Sequence, residues 1–416
     1  MSTLEEILIF IRLRRHQRRK QKSRRWYIRP INRSRQQNGE FFSLVLPMRD
    51  IDEEKHREYF RMSPKVFDEL LRRIRPHIEH NQTHSDPIGS AQRLAVTLRF
   101  LTTGMSYRAL AASYKLGSAT VGRVISEVSQ VIWVSLKNEF VAYPDQTKWQ
   151  SIKGDFLSLW NYPNCLGSID GKHIRVQAPR NSGSQFHNYK GYFSFILMAV
   201  CDARYRFSVV DIGAYGRDSD AGVFSRSQFG SKLIQGKLPL PPPSKLPGSE
   251  VLCPQVFVGD EAFPLKVNIM RPYPGTLTPD QQVYNYRHSR ARRVVENAFG
   301  ILSAKWRVFG KAMECSIDSA QHITKACVAL HNFLCVSDQF EGPGYISCSL
   351  VDEGDVPGEW RQVVLGDSNL TDPGCLTADR ATRVAADIRN RFKDYFLTDS
   401  GSVPFQDAVL HRGKLQ

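Results

Sequence analysis

The chain has 416 residues, 41% of them hydrophobic, and 57 Lys and Arg against 41 Asp and Glu give it a formal charge of +16. That is ample for a buried core in two or three domains, and the basic excess favours a polyanionic partner, either nucleic acid or an acidic membrane. No apolar run reaches about 18 residues, which argues against a membrane span, and the eight cysteines contain no Cys-x-x-Cys pair, which argues against a zinc ribbon or a disulfide framework.

In chain order, the first segment, MSTLEEILIFIRLRRHQRRK, has acidic residues ahead of its apolar stretch, basic ones after it and no small-residue cleavage site. It does not read as a secretory signal. A dense basic run follows, with Arg12, Arg14, Arg15, Arg18, Arg19, Lys20, Arg24 and Arg25 close to Trp26 and Tyr27. So many like charges repel one another, and the run reads as an arm for nucleic-acid binding or nuclear import rather than a solvated helix face.

Residues 1–50 are therefore assigned to a basic arm and 51–145 to a helical region. Ser63 and Pro64 open one helix as N-cap and first residue. Leu94, Leu98 and Leu101 form an apolar stripe that stops at Gly104, Ser106 can cap a short second helix, and Gly117 and Ser118 make the turn into a third. That order predicts a helix-turn-helix, with Val121, Val124, Ile125 and Val128 buried and Arg123 facing a DNA groove. The alternative is a small helical bundle that only packs against a neighbour.

Past Trp160 the pattern changes to strands: CLGSIDGKHIRV, SFILMAVCDARYRF, FSVVDIGAYG and, beyond a proline-rich loop at 237–255, VLCPQVFVGD. These runs and the helices after them predict an α/β domain over 146–340, a mixed sheet flanked by helices. Residues 341–416 read as a loop and an amphipathic C-terminal helix, suited to docking or to dimerisation.

Asp170 sits in mid-strand, where an ionised carboxylate is costly unless a cation compensates it. Asp260 ends a strand, and Glu296 lies at the edge of a helix whose apolar face is Val295, Ala298, Phe299, Leu302 and Trp306. Alone, Glu296 would read as a surface salt bridge. With the two aspartates it completes the pattern of a D-D-E nuclease, in which two Mg²⁺ or Mn²⁺ ions about 4 Å apart are held by hard carboxylate oxygens.

These residues lie in IDGKHI (169–174), GAYGRDSDAGVF (213–224), VGDEAFPL (258–265), RRVVENAFGILSAKWRVF (292–309) and ACVALHNFL (326–334). Five motifs in this order resemble the PIF/Harbinger transposases and the nucleases derived from them. The resemblance implies an RNase H-like D-D-E domain with Asp170, Asp260 and Glu296 catalytic, all three binding metal, and Asp220 as a further ligand, with Asp218 and Asp211 as competitors for that role. It also implies cleavage and strand transfer on DNA in the nucleus, or partly in the cytoplasm depending on a Myb-like accessory partner. The expected activity is that of a transposase, the alternative a domesticated nuclease or a non-catalytic DNA-binding scaffold, with a homodimer as an option.

Lys172, Arg175, Lys190 and Arg292 are expected to contact DNA phosphates. His173 could steer a phosphate, but a histidine ending a strand is more often structural. The HNFLC run at 331–335 reads as core.

Overall fold

A computed structural model describes residues 26–80, 87–180, 182–337, 360–361, 370–371 and 382–406. The arm residues Arg12, Arg14, Arg15, Arg18, Arg19, Lys20, Arg24 and Arg25 lie outside the described residues, as does most of the 341–376 loop.

After short helical turns across 30–51 the chain builds α1 (Glu53–Phe60) and α2 (Pro64–Ile78), the latter capped by Ser63 Oγ, which accepts from the Val66 amide. Helix α3 (Ser90–Thr103) ends at Gly104, whose φ of 64° suits a residue without a Cβ. A Cβ there would also stand 2.9 Å from the Arg307 carbonyl, so the glycine lets α3 meet the turn at Arg307. Helix α4 (Tyr107–Ser113) is capped by Ser106, and α5 (Ser118–Phe140) starts after Gly117.

Helix α5 buries Val121, Val124, Ile125 and Val128 and leaves Arg123 exposed. It is also 23 residues long and lies along α10 (Ile317–Ser337), where Ser126 and Ser319 hydroxyls meet at 3.2 Å. At its end, the Asn332 amide donates to the carbonyls of Phe140 (2.6 Å) and Phe207 (2.8 Å). The helical region thus shares its core with the sheet instead of standing apart. The HNFLC run supplies that seam, with His331, Asn332, Phe333, Leu334 and Cys335 all buried.

The sheet runs in the order β3-β2-β1-β6-β7. Strands β1 (Cys165–Arg175), β2 (Ser194–Cys201) and β3 (Phe207–Tyr215) form an antiparallel meander, and β6 (Val256–Val258) and β7 (Ile269–Met270) add in parallel on the other side of β1. Two residues, β8 (Leu370–Thr371), pair with the later half of β1. This mixed five-strand core flanked by helices is consistent with an RNase H-like fold.

The VLCPQVFVGD run does not form one strand. Pro254 cannot donate to a ladder, so Leu252–Cys253 (β5) pairs with Ser244–Lys245 (β4) in a small ribbon while Val256–Val258 enters the main sheet. The Asn164 amide ties the ribbon down through the Ser244 and Cys253 carbonyls, at 3.1 and 3.0 Å.

One face of the sheet is covered by α9 (Pro279–Lys305) and α10, whose Phe299 and His331 rings both pack on Phe207 of β3. The other is covered by α6 (Gln146–Trp160) and α8 (Gln228–Ile234), whose Trp149 and Phe229 rings both meet Phe257 of β6. Helix α7 (Asp220–Arg226) joins β3 to α8, its Phe224 ring 6.1 Å from that of Phe229.

The C-terminal helix α11 (Arg383–Tyr395) docks on its own chain. Its Asn390 accepts from Tyr273, Arg389 donates to the Pro272 carbonyl, and Lys393 pairs with Asp280 at the start of α9. Among the described residues, no helix is long and apolar enough to cross a membrane.

Candidate active site

Strand register brings the two aspartates together. Ser168 of β1 is in parallel register with Val258 of β6, so Asp170, still within β1, and Asp260, just past the end of β6, each lie two residues beyond a paired position on neighbouring strands. Adjacent strands lie about 4.8 Å apart. Asp170 is buried, and Asp260 is half-buried where the chain leaves β6, its Oδ1 accepting from the Ala262 amide at 2.9 Å.

Helix α9 crosses this pair. The Ser168 hydroxyl donates to the Arg292 carbonyl at 3.1 Å, and His288 Nε2 donates to the Gly259 carbonyl at 2.7 Å, fixing the peptide before Asp260 to the helix. His288, Arg292 and Glu296 are spaced i, i+4, i+8 and form one stripe toward the strand ends. Burial pushes the His288 pKa down to about 4, against the opposing pull of the Gly259 carbonyl.

Two cations serve these carboxylates. Lys172 Nζ is 3.0 Å from Asp170 Oδ2, and Arg292 Nη2 is 2.5 Å from Glu296 Oε1. Burial lowers the Arg292 pKa, but the fields of Glu296, Asp170 and Asp260 outweigh it and hold the value above the ordinary one. Arg292 is therefore within electrostatic reach of all three carboxylates. It and Lys172, expected to reach for DNA phosphates, turn inward instead, because the nearest negative charge is the protein's own.

Asp220 arrives differently. It is buried at the first position of α7, and a Cβ on Gly171 would lie 2.0 Å from its Oδ1. Side chains alternate along a strand, so the Gly171 position faces away from Asp170 and Lys172. Asp220 thus reaches β1 beside the first aspartate but from the opposite face, through the gap the glycine leaves. Its competitors stand elsewhere: Asp218 pairs with Arg226 at 2.6 Å, and Asp211 is exposed on β3 in register with Met198.

An all-oxygen donor set of four carboxylates suits a hard divalent cation. As the side chains stand, no three His, Cys, Asp or Glu groups among the described residues converge on one ion position. Ion binding would exchange the Lys172 and Arg292 pairs for metal–oxygen bonds.

His173 is fully buried, its Nδ1 3.0 Å from Ser194 Oγ, which accepts from Asn188 at 3.1 Å. Its burial and this bond suit a place in the strand packing. Arg175 and Lys190 are exposed, each beside a tyrosine ring. His288, Ser168 and Gly171 escaped the reading of the sequence; for His288 the signal was its spacing ahead of Arg292 and Glu296.

A mixed sheet with Asp170 in the middle of β1, Asp260 just past the end of the adjacent β6, and a crossing helix is consistent with a D-D-E type endonuclease domain, and residues 169–332 match the family described as DDE superfamily endonuclease. The chain is similar to the human protein named "Putative nuclease HARBI1", 24% identical over 267 residues that cover 63% of this chain and 72% of the relative. It is similar to the ALP1-like protein of Arabidopsis thaliana, 28% identical over 66% of this chain and 69% of the relative, and to the Arabidopsis thaliana protein named Antagonist of Like Heterochromatin Protein 1, 26% identical over 58% and 62%. No solved structure matches it significantly. Over the region they cover, these likenesses support a relation to Harbinger transposase-derived nucleases.

Proposed function

We propose that this protein is a Harbinger-derived DNA endonuclease that uses a divalent metal, Mg²⁺ or Mn²⁺, and most readily two ions. The observation that carries the reading is the β1–β6 register, which sets Asp170 and Asp260 each two residues past the paired Ser168 and Val258, beneath a helix whose Arg292 feels the charges of Asp170, Asp260 and Glu296. Asp170, Asp260 and Glu296 would hold the metal, with Asp220 reaching it past Gly171. When bound, the metal supplies an activated water and stabilises the leaving oxygen of a phosphodiester. The protein's part is to fix the oxygens on rigid elements, through the β1–β6 register, the Ser168–Arg292 bond and the His288–Gly259 bond.

Arg175, Lys190 and Arg123 are exposed cations suited to phosphate contacts, and the basic arm would add sequence-independent affinity. The names of the relatives favour the nuclease over the full transposase first expected. A Myb-like partner, a homodimer and residence in the nucleus belong to the same proposal, and strand transfer to the transposase alternative.

The test is cleavage of duplex DNA by the full chain with Mg²⁺, Mn²⁺ or EDTA, beside Asp260→Asn. Metal-dependent cleavage lost in the variant supports the nuclease. DNA binding with no cleavage under any metal would favour the scaffold. Cleavage with no joining of 3′-ends would separate nuclease from transposase.

A further inference from the structure

The turn between β1 and β2 is built with more precision than a connection needs. Asn188 is buried, its Oδ1 accepts from the amides of Lys190 (3.0 Å) and Tyr192 (3.2 Å), and its Nδ2 bonds to Ser194 Oγ, which touches His173. The Gly191 amide closes the turn on the Asn188 carbonyl at 3.1 Å, with a φ of 84° at the glycine. Buried polar groups thus fix a tight turn whose two central residues are Tyr189 and Lys190.

This rigid tip presents apolar rings to water. Tyr189 is 64% exposed with Lys190 Nζ 5.5 Å from its ring centre, and the Arg175 guanidinium is 4.9 Å from the Tyr192 ring. The end of β3 joins them: Tyr215, 40% exposed, has its ring 5.1 Å from that of Phe186 at the base of the same turn, with the Arg217 guanidinium 6.0 Å away. Gly216 permits this approach, because a Cβ there would stand 2.5 Å from the Ser194 carbonyl and 2.6 Å from that of Phe186. Three aromatic rings and three cations therefore share the end of the sheet toward which β1 runs from Asp170.

We infer that this patch is a stacking platform for unpaired nucleotides of a DNA strand. Ring faces accept bases of any sequence once they leave the duplex stack, and cations beside the rings take the phosphates between them, the combination by which single strands are held without sequence preference. A fully paired duplex offers phosphates but no free base faces, so the rings have nothing to stack on. His173 lies on β1 three residues past Asp170, about 10 Å at 3.3 Å per residue, on the face that Gly171 shares, and its ring is 6.4 Å from that of Tyr189, so the platform stands at the strand end on the side from which Asp220 reaches β1. The inference rests on the nuclease reading and adds to it the substrate state: DNA that is locally unpaired beside the cut.

The test uses the full chain in EDTA, so that no cleavage occurs, with fluorescein-labelled duplexes that are either fully paired or carry a four-nucleotide gap, and with 2-aminopurine placed in the strand opposite the gap. The parent is expected to bind the gapped duplex more tightly and to quench the 2-aminopurine. Tyr189→Ala should weaken binding to the gapped duplex about tenfold, abolish the quenching and leave affinity for the paired duplex within twofold, while Tyr189→Phe, which keeps the ring face, behaves like the parent. Matched thermal unfolding of the variants shows that the turn survives. Equal weakening on both duplexes, or no effect of Tyr189→Ala on either, overturns the platform while the nuclease reading stands. A parent that binds neither duplex sinks both.

Discussion

The Lys172 ammonium stands 3.0 Å from Asp170 Oδ2, with the lysine side chain 13% exposed and that of the aspartate 4%. A buried carboxylate tolerates its charge only with a cation beside it, and here the chain supplies its own two residues along the same strand. The pair has two consequences of opposite sign.

Lys172→Met removes that cation and should destabilise the metal-free protein by about 3 kcal/mol, as breaking a buried pair does. The same change removes a competitor for Asp170, so Mn²⁺ should raise the melting temperature of the variant by more than it raises that of the parent. Thermal unfolding with and without Mn²⁺ measures both. An equal rise in the two proteins would show that Lys172 does not compete with the metal.

Gly171→Ala puts a Cβ 2.0 Å from Asp220 Oδ1 and 3.2 Å from Met198 Cε. Asp220 is buried at the start of α7, so relief requires that helix to shift. A loss of about 1–3 kcal/mol in stability is expected, the range for overpacking, together with loss of cleavage. A variant as stable and active as the parent would mean that the close approach of Asp220 to β1 is dispensable.

Acid should weaken the fold through two histidines. Burial pushes His288 and His331 each down to about 4, and both bond to carbonyls, of Gly259 and Tyr205. Their folded pKa values lie below the unfolded value of about 6.5, so the unfolded chain binds more protons between those limits. Stability is complete above about pH 6.5 and falls as the pH drops toward 4, by roughly 1.4 kcal/mol per pH unit for each histidine. Urea titrations at pH 7, 6 and 5 measure the slope, and His288→Gln should remove about half of these histidines' share.

The sequence carried the order of the main elements and marked Asp170, Asp260 and Glu296 as candidates, because alternation in β1 and the apolar stripe of α9 are local signals. It did not carry direction. Lys172 and Arg292 look like any DNA-facing cations until the fold shows them paired with the protein's own carboxylates. Asp220, Asp218 and Asp211 were indistinguishable in the string, and it takes the packing of α7 against Gly171 to set Asp220 beside β1, where the other two are not. The long α5 was legible as a helix that buries Val121 to Val128, but its seam with α10 depends on a contact almost 200 residues away, between Ser126 and Ser319. No local pattern encodes such a contact.

Glu296→Gln tests whether the third carboxylate belongs to the chemistry. The amide keeps the shape of the side chain and an oxygen that can still accept from Arg292, but it loses the charge a divalent cation needs. The Glu296–Arg292 pair is only partly buried, with side chains 28% and 25% exposed, so stability should change by no more than about 1 kcal/mol. Cleavage should fall by at least about a hundredfold, since two-metal hydrolysis depends on every ligand that places the ions. DNA affinity in EDTA should stay equal or rise slightly, because a negative charge has been taken from beside a polyanion. Single-turnover cleavage in Mg²⁺ and binding in EDTA, both on the same duplex, separate these effects. Unchanged cleavage would remove Glu296 from the mechanism, and lost binding with an intact fold would assign it to holding Arg292 rather than metal.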